Sequence, residues 1–203
     1  SQPQLITVNI TSEVDGAIPV FGETQVNSYT PGSQESSAIA GLADGGYVVV
    51  WESNGQDGNL DGIFGQRFTA NGVLTGSEFQ VNTTALAYQD QPDVTALTGG
   101  GFVVTWTDDS NLSGTDNSGD GIFAQIYDAT GAMVGGEFQV NTEISSTQDF
   151  SQIAALNDGG FIVTWTSANS GSAGDGSLQG IFAQRYAADG STVGNEFQVN
   201  TFF

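Results

Sequence analysis

Short apolar runs alternate with glycine-rich segments along the whole chain, and no stretch has the period of an amphipathic helix. The most apolar runs start with Phe or Tyr directly after a glycine pair, which is a strong hairpin signal. Glycine occurs 29 times and proline only 4 times, as expected for many turns between short strands. The pattern therefore predicts an all-β fold.

The apolar runs belong to one unit that is repeated three times. Glu-Phe-Gln-Val-Asn-Thr occurs at 78–83, 137–142 and 196–201, and a diverged copy lies at 23–28. Each Trp lies 24 residues after the Asn of the preceding string, and each Gly-Ile-Phe lies 20 residues before the next such Asn. Only the segment from Trp to Gly-Ile-Phe varies, with spacings of 11, 15 and 15 residues. All length variation therefore falls in one loop of an otherwise fixed framework.

Each unit is predicted to contain four strands. The first three are Ser37–Leu42, Tyr47–Trp51 and Ile63–Phe68 in unit one, Pro92–Leu97, Phe102–Trp106 and Ile122–Tyr127 in unit two, and Ser151–Leu156, Phe161–Trp165 and Ile181–Tyr186 in unit three. The fourth strand holds the Glu-Phe-Gln-Val-Asn string. The second strand is apolar at nearly every position, as expected when both of its faces are covered.

Four sequential antiparallel strands per unit describe a β-propeller blade. The sequence thus predicts a propeller-like array within one domain, with a half-blade at 1–27 and repeats at 28–82, 83–141 and 142–203. A β-sandwich is the alternative, although it would not explain the repeat. The half-blade consists of Ile6–Ile10 and Glu23–Asn27, and an unpaired edge recruits other strands. We therefore expect self-association through open sheet edges. The sequence does not distinguish between a closed ring, a filament and a longer array.

Charge is very uneven, with 2 basic and 23 acidic residues and a net charge of −21. Phosphate backbones and anionic membranes would be repelled, so nucleic-acid binding is excluded, and no apolar run is long enough for membrane insertion. The chain has no Cys and no His, which excludes disulfides, thiolate chemistry and the commonest general base. The acidity favours cations as ligands, although it is also explained by solubility alone.

The variable loop carries a repeated oxygen-rich pattern that indicates calcium. Its candidate ligands are Asp57, Asn59, Asp61 and Ile63 in unit one, Asp116, Ser118, Asp120 and Ile122 in unit two, and Asp175, Ser177 and Gln179 in unit three, the Ile residues acting through their backbone carbonyls. Oxygen ligands at alternate positions followed by a Gly suit Ca²⁺, and the pattern matches the opening half of an EF-hand loop. The match is partial, because the position of the bidentate Glu holds Phe68 or Tyr127. The alternative is that these are ordinary turn dipeptides.

Other repeated residues were assigned to structure. The three Trp residues are expected to fill the packing between units, and Gln66, Gln125 and Gln184 to hydrogen-bond neighbouring strands. Glu35, Asp90 and Asp149 precede the first strand of each unit and are expected to be solvated. Arg67 and Arg185 are equivalent, and Ile126 holds that position in unit two, so we expected no essential site there.

The combination of Gly-Gly-Phe-x-Val-x-Trp, Gly-Ile-Phe-Ala-Gln-Arg-Tyr and Gly-x-Glu-Phe-Gln-Val-Asn-Thr resembles a tandem repeat of very large secreted bacterial proteins. Those proteins often carry cadherin-like and repeats-in-toxin calcium-binding segments. The resemblance spans about 23–201 and implies a secreted, extracellular or cell-surface location and an adhesive or matrix role, with no catalytic motif.

From these observations the sequence predicts a non-enzymatic structural or adhesive module that binds calcium and assembles with itself. The alternative is a carbohydrate-binding, lectin-like propeller with a shallow pocket and exposed aromatic residues in each blade, and a surface glycan as partner. An enzyme is the least favoured hypothesis, because the acids recur in every unit, whereas a catalytic pair would break the repeat at one place. The sequence showed us no such break.

Overall fold

The computed structural model describes residues 23–109, 119–142, 144, 147–168 and 179–200. These residues contain twelve β-strands. Sheet one consists of β1 (Gln34–Gly41), β2 (Tyr47–Asn54), β3 (Asp61–Phe68) and β4 (Leu74–Gln80). Sheet two consists of β5 (Gln89–Ala96), β6 (Phe102–Asp108), β7 (Gly121–Tyr127) and β8 (Met133–Gln139). Sheet three consists of β9 (Gln148–Ala155), β10 (Phe161–Ala168), β11 (Gln179–Tyr186) and β12 (Phe197–Gln198).

Within each sheet the strands lie in chain order and every neighbouring pair is antiparallel. The prediction of an all-β chain with one four-stranded antiparallel sheet per repeat is therefore confirmed. Neighbouring sheets contact each other mainly through their first strands, β1 with β5 and β5 with β9. No helix in the described part of the chain is long and apolar enough to cross a membrane.

The first strands begin three residues earlier than predicted in all three sheets. Each contains an irregularity in its pairing, where Ser36, Gln91 and Phe150 have positive φ angles of 50°, 52° and 55°. An extra residue at such a bulge lets the strand continue past the position where a regular pairing would stop. Because the three residue types differ, the sequence contains no common signal for the bulge.

The hydrophobic core is divided between the interfaces of successive units, as predicted for the Trp residues. Trp106 of sheet two packs with Val48, Val50 and Ile63 of sheet one, and Trp165 of sheet three packs in the same way against Ile122 and neighbouring residues of sheet two. Trp51 packs with Val26, the only buried apolar residue that the structure describes before sheet one. All three indoles are fully buried, so they are unable to stack on a sugar from solvent.

The repeated Asn and Glu of the Glu-Phe-Gln-Val-Asn string each have a structural role. Asn82 accepts from the Ile63 amide at 2.8 Å and donates to the Gln89 side chain at 2.9 Å, which ties one unit to the next. Glu137 accepts from the Thr83 amide at 2.6 Å, so that the fourth strand of one unit holds the connection that leaves the preceding unit. The bonds of Asn82 satisfy buried polar groups, and that of Glu137 fixes an exposed connection, so the string has structural reasons to recur without a ligand.

Candidate functional site

The two ends of the strands differ in chemistry. At one end, the turn edge, lie the tight turns at 42–46, 97–101 and 156–160 between the first and second strands, and those at 69–73, 128–132 and 187–191 between the third and fourth. At the other end, the loop edge, lie the described parts of the variable loops and the starts of the first strands. The predicted calcium ligands that the structure describes belong to the loop edge.

In unit one the predicted calcium ligands lie together but are largely engaged by the protein. The Asp57 carboxylate accepts from the Asn59 amide at 2.9 Å, the Asn59 side-chain oxygen accepts from the Leu60 amide at 2.9 Å, and Asp61 accepts from Asn54 at 2.8 Å. The Ile63 carbonyl accepts from the Val81 amide at 2.7 Å. Of these four ligands, Asp57 alone has a buried side-chain oxygen, Oδ2, that lacks a hydrogen-bond partner in the described part of the chain.

The structure describes only some of the remaining predicted ligands. Asp116, Ser118, Asp175 and Ser177 lie outside the described residues. Asp120 and Gln179 lie at the loop edge, and the Ile122 carbonyl accepts from the Val140 amide at 2.7 Å. In the described ranges no three Asp or Glu residues are grouped closely enough to hold a metal ion. The residues thus fit a calcium ion in part only, and calcium stays a prediction.

Of the three acids at the starts of the first strands, Glu35 is exposed as expected, whereas Asp90 and Asp149 are half-buried. Asp90 is half-buried, and its Oδ1 atom has no hydrogen-bond partner among the described residues. Burial, together with the nearby carboxylates of Glu52, Asp120 and Asp61, raises the pKa of Asp90 from its ordinary value of 3.8 to about 7. Burial also raises the pKa of Glu52, which accepts from the Gln91 amide at 2.6 Å. The loop edge therefore concentrates negative charge where units one and two meet.

The turn edge contains the feature that sequence reasoning missed. In sheets one and three an Asp of the first turn pairs with an Arg of the third strand, Asp44 with Arg67 at 3.8 Å and Asp158 with Arg185. In sheet two the equivalent positions hold Gly99 and Ile126, so both partners of the ion pair are replaced together. Unit two is therefore the unit that lacks this ion pair.

This double replacement changes the interface between units. Arg67 reaches from sheet one across to the 128–132 turn of sheet two, where it donates to the carbonyls of Thr130 and Ala129. Between these two sheets the remaining cavity is only about 40 Å³. Ile126 reaches toward Gly190 in the corresponding turn of sheet three but has no groups that donate a hydrogen bond. Between sheets two and three the cavity is about 390 Å³.

We call the larger cavity the turn-edge cleft. It is lined by Leu97, Thr98, Gly99, Gly100, Ile126, Tyr127, Asp128, Val134, Asn157, Asp158, Gly159 and Ala188. Thr98 and Asn157 are exposed polar residues, one from each sheet, Val134 supplies exposed apolar surface, and the buried Leu97 and Ile126 lie beneath. Its volume lies within the range of small-molecule sites, and apolar walls with a few polar groups are typical of such sites.

The two carboxylates of the cleft stay ionised at neutral pH. Hydrogen bonds from the Thr130 side chain and the Ala132 amide lower the pKa of Asp128, and a hydrogen bond from the Gly160 amide together with Arg185 lowers that of Asp158. Both groups are therefore hydrogen-bond acceptors for a ligand that brings O–H or N–H donors.

No family model matches the chain, and no curated protein matches it. Among solved structures, the chain is similar to an endo-arabinase from Bacteroides thetaiotaomicron, with 17% identity and a TM-score of 0.49 over 78% of this chain and 59% of that one. It is also similar to a candidate exo-β-1,3-galactanase from Bifidobacterium bifidum, with 14% identity and a TM-score of 0.47 over 79% and 51%. A third neighbour is GH43B of the Bacteroides ovatus xyloglucan PUL, with 15% identity and a TM-score of 0.43 over 76% and 27%.

These neighbours contradict two predictions made from the sequence. The first two are named as carbohydrate-acting enzymes, which opposes a non-enzymatic adhesive module and opposes the statement that the chain is not an enzyme; both predictions are wrong. Both predictions rest in part on an unbroken repeat, and that premise does not hold, because Gly99 and Ile126 replace the Asp–Arg pair in unit two. At these identities the likeness extends to the fold alone, and the chain spans less than two thirds of each neighbour.

Proposed function

We propose that this chain is a carbohydrate-binding module with a propeller-like arrangement of its sheets, and that the turn-edge cleft is its binding site. The observation that carries the proposal is the loss of the Asp–Arg pair in unit two, which accompanies a cavity of about 390 Å³. Of the two turn-edge interfaces that the structure describes, the one with the Asp–Arg pair packs with a cavity of about 40 Å³, so packing of the units does not require the larger cleft.

The chemistry of the cleft favours a neutral, hydroxyl-rich ligand. Sugar rings have apolar C–H faces and hydroxyl groups that both donate and accept, which matches the exposed Val134 beside Thr98, Asn157 and Asp158. A net charge of −21 disfavours phosphorylated, sulfated or uronic-acid ligands. The lectin-like hypothesis therefore takes a changed form, with one cleft between two units in place of a shallow pocket in every blade.

The experiment is a glycan array probed with the full chain, followed by calorimetry with each neutral oligosaccharide that binds. We expect neutral glycans to bind and the double variant Gly99→Asp with Ile126→Arg, which restores the ion pair of the other sheets, to lose that binding. Failure of the full chain to bind any neutral glycan would refute the proposal, as would binding that the double variant retains.

A second candidate activity, glycoside hydrolysis at the loop edge, is favoured by one observation. Asp90 has a pKa of about 7 beside other carboxylates, and a carboxylic acid that stays protonated near neutral pH beside an ionised one is the pair that such hydrolysis uses. Release of reducing sugar from neutral polysaccharides by the full chain, abolished by Asp90→Asn, would support it. No release from arabinan, galactan or xyloglucan would count against it.

Calcium and an extracellular location belong to this proposal as untested parts. The buried oxygen of Asp57 without a partner supports a cation at the first loop, and the excess of acidic residues supports a cation-rich environment.

A further inference from the structure

The outer face of sheet three differs from the equivalent faces of the other two sheets. Ile122 and Val140 of unit two have 0% and 2% of their surface exposed, because sheet three covers them. The equivalent residues of unit three, Ile181 and Val199, are 41% and 51% exposed. Phe197 on the same face is 49% exposed, whereas its counterparts Phe79 and Phe138 are half-buried. We call this surface the open face.

The residues that cover the equivalent faces are known from the two interfaces within the chain. Trp106 and Phe123 lie over the face of unit one, and Trp165 and Phe182 lie over that of unit two. In both cases these two aromatic residues come from the second and third strands of the next unit, and its first strand adds Val94 or Ile153 to the same core. The open face is therefore the continuation of an interface that the chain already builds twice.

The arginine at the turn edge points to the same kind of partner. Arg67 is only 11% exposed, because it crosses to the third turn of the next unit and donates to two backbone carbonyls there. Arg185, the equivalent residue of sheet three, is 44% exposed and pairs with Asp158 within its own sheet. A following unit with a turn like that at 128–132 would provide Arg185 with the same carbonyl acceptors.

The fourth strand of unit three is also shorter. The strands β4 and β8 have seven residues each, whereas β12 has two. In units one and two the fourth strand contributes Val81 and Val140 to cores that include the next sheet, while Val199 of unit three is exposed.

We propose that the open face is a docking surface for a further four-stranded unit of this same repeat, seated as sheet three is seated on sheet two. The partner is defined by its chemistry. It brings a Trp and a Phe on its second and third strands for Ile181 and Val199, and a glycine-containing turn whose carbonyls accept from Arg185. This inference concerns a surface distinct from the turn-edge cleft and does not depend on the proposed function.

The test adds such a unit to the full chain. The extended protein consists of residues 1–200 followed by a second copy of 142–200, which keeps the spacing between units. We expect amide hydrogen exchange in β11 to slow at least tenfold, to the rate of β7, and the melting midpoint to rise. The matched control carries Ser in the added copy at the positions of Trp165 and Phe182, and its β11 is expected to exchange as in the unextended chain.

Three results would overturn the proposal. One is a folded added unit with β11 exchanging as fast as before. Another is an added unit that does not fold, because the same sequence folds against sheet two. The third is that β11 is already protected in the unextended chain while that chain sediments as a monomer, since the open face would then be covered from within the chain.

Discussion

The Arg67 guanidinium of sheet one donates a hydrogen bond to the Ala129 carbonyl of sheet two, 3.0 Å away across the interface. This contact separates a filled interface from an open one. Where Arg67 crosses, about 40 Å³ of cavity remains; where Ile126 holds the equivalent position, the cavity is about 390 Å³. The first prediction follows from that difference.

Gly99→Asp with Ile126→Arg is expected to abolish glycan binding while the fold is kept, because sheets one and three accommodate the same pair. Calorimetry should give at least about a tenfold loss of affinity, equivalent to about 1.4 kcal/mol. The converse variant, Asp44→Gly with Arg67→Ile, is the control. It removes two hydrogen bonds between sheets and should lower the free energy of unfolding by about 1–3 kcal/mol without affecting glycan binding. Equal glycan affinity in the first variant and the wild type would contradict the assignment of the cleft.

Asp90→Asn is expected to stabilise the protein at pH 8 and to change little at pH 4. The pKa of Asp90 is raised to about 7 in the folded state, so the folded state holds its proton more tightly than the unfolded state does. Ionisation of Asp90 therefore lowers the free energy of unfolding of the wild type. This loss is absent below the unfolded-state pKa of about 4, grows between about pH 4 and pH 7, and is constant above pH 7. Because Asp90 is only partly buried, we expect Asp90→Asn to raise the free energy of unfolding at pH 8 by about 1–2 kcal/mol. This corresponds to a rise of roughly 3–6 °C in the melting midpoint.

Thermal melts of Asp90→Asn and wild type at the two pH values check this prediction. Asp128→Asn is the contrasting variant, because hydrogen bonds lower the pKa of Asp128 and its ionised form is the stabilised one. That variant should be neutral or destabilising at pH 8. A midpoint for Asp90→Asn that rises equally at pH 4 and pH 8 would show that the effect is unrelated to ionisation.

Ile122→Asp and Ile181→Asp are expected to differ widely, although the two residues are equivalent in the repeat. Ile122 is fully buried between sheets, and a charge there has no partner. We therefore expect Ile122→Asp to lower the free energy of unfolding by about 4 kcal/mol or more. Ile181 is 41% exposed, and the same change should cost about 1 kcal/mol or less. Urea unfolding of the two variants measures the difference, and similar losses would mean that the open face is covered in solution.

Calcium is expected to raise the melting midpoint if the first loop binds it. A ligand that binds only the folded state at 100 times its dissociation constant adds about 2.7 kcal/mol. Melts with calcium and with a chelator measure the shift, and Asp57→Asn should remove it while Asp189→Asn, in a turn of sheet three, should keep it. Identical melting midpoints with and without calcium would show that the acidic loops are ordinary turns that do not bind calcium.

Much of the fold could be predicted because the repeat fixes it locally. The glycine pairs before Tyr47, Phe102 and Phe161 predict hairpins, and the apolar second strands predict sheets that are covered on both faces. The bulges at Ser36, Gln91 and Phe150 could not be predicted, since three unlike residues adopt the same positive φ. Their conformation is set by pairing with the second strand, which local sequence does not record.

The cleft was missed for a related reason. Both replaced residues were visible in the sequence, Gly99 as part of a turn and Ile126 as an exception to Arg, but they lie 27 positions apart and were considered singly. The antiparallel pairing within a sheet brings the two positions close together. The packing of the next sheet then determines that a cavity remains where the Asp and Arg side chains are absent.

The sequence by itself determined the three four-stranded units and the residues that recur in them, because strand, turn and repeat signals act over a few neighbouring positions. The tertiary structure alone decided which equivalent residues are buried or exposed and where the cavity lies. Burial depends on the presence of a neighbouring sheet, and so identical residues such as Ile122 and Ile181 have different surroundings.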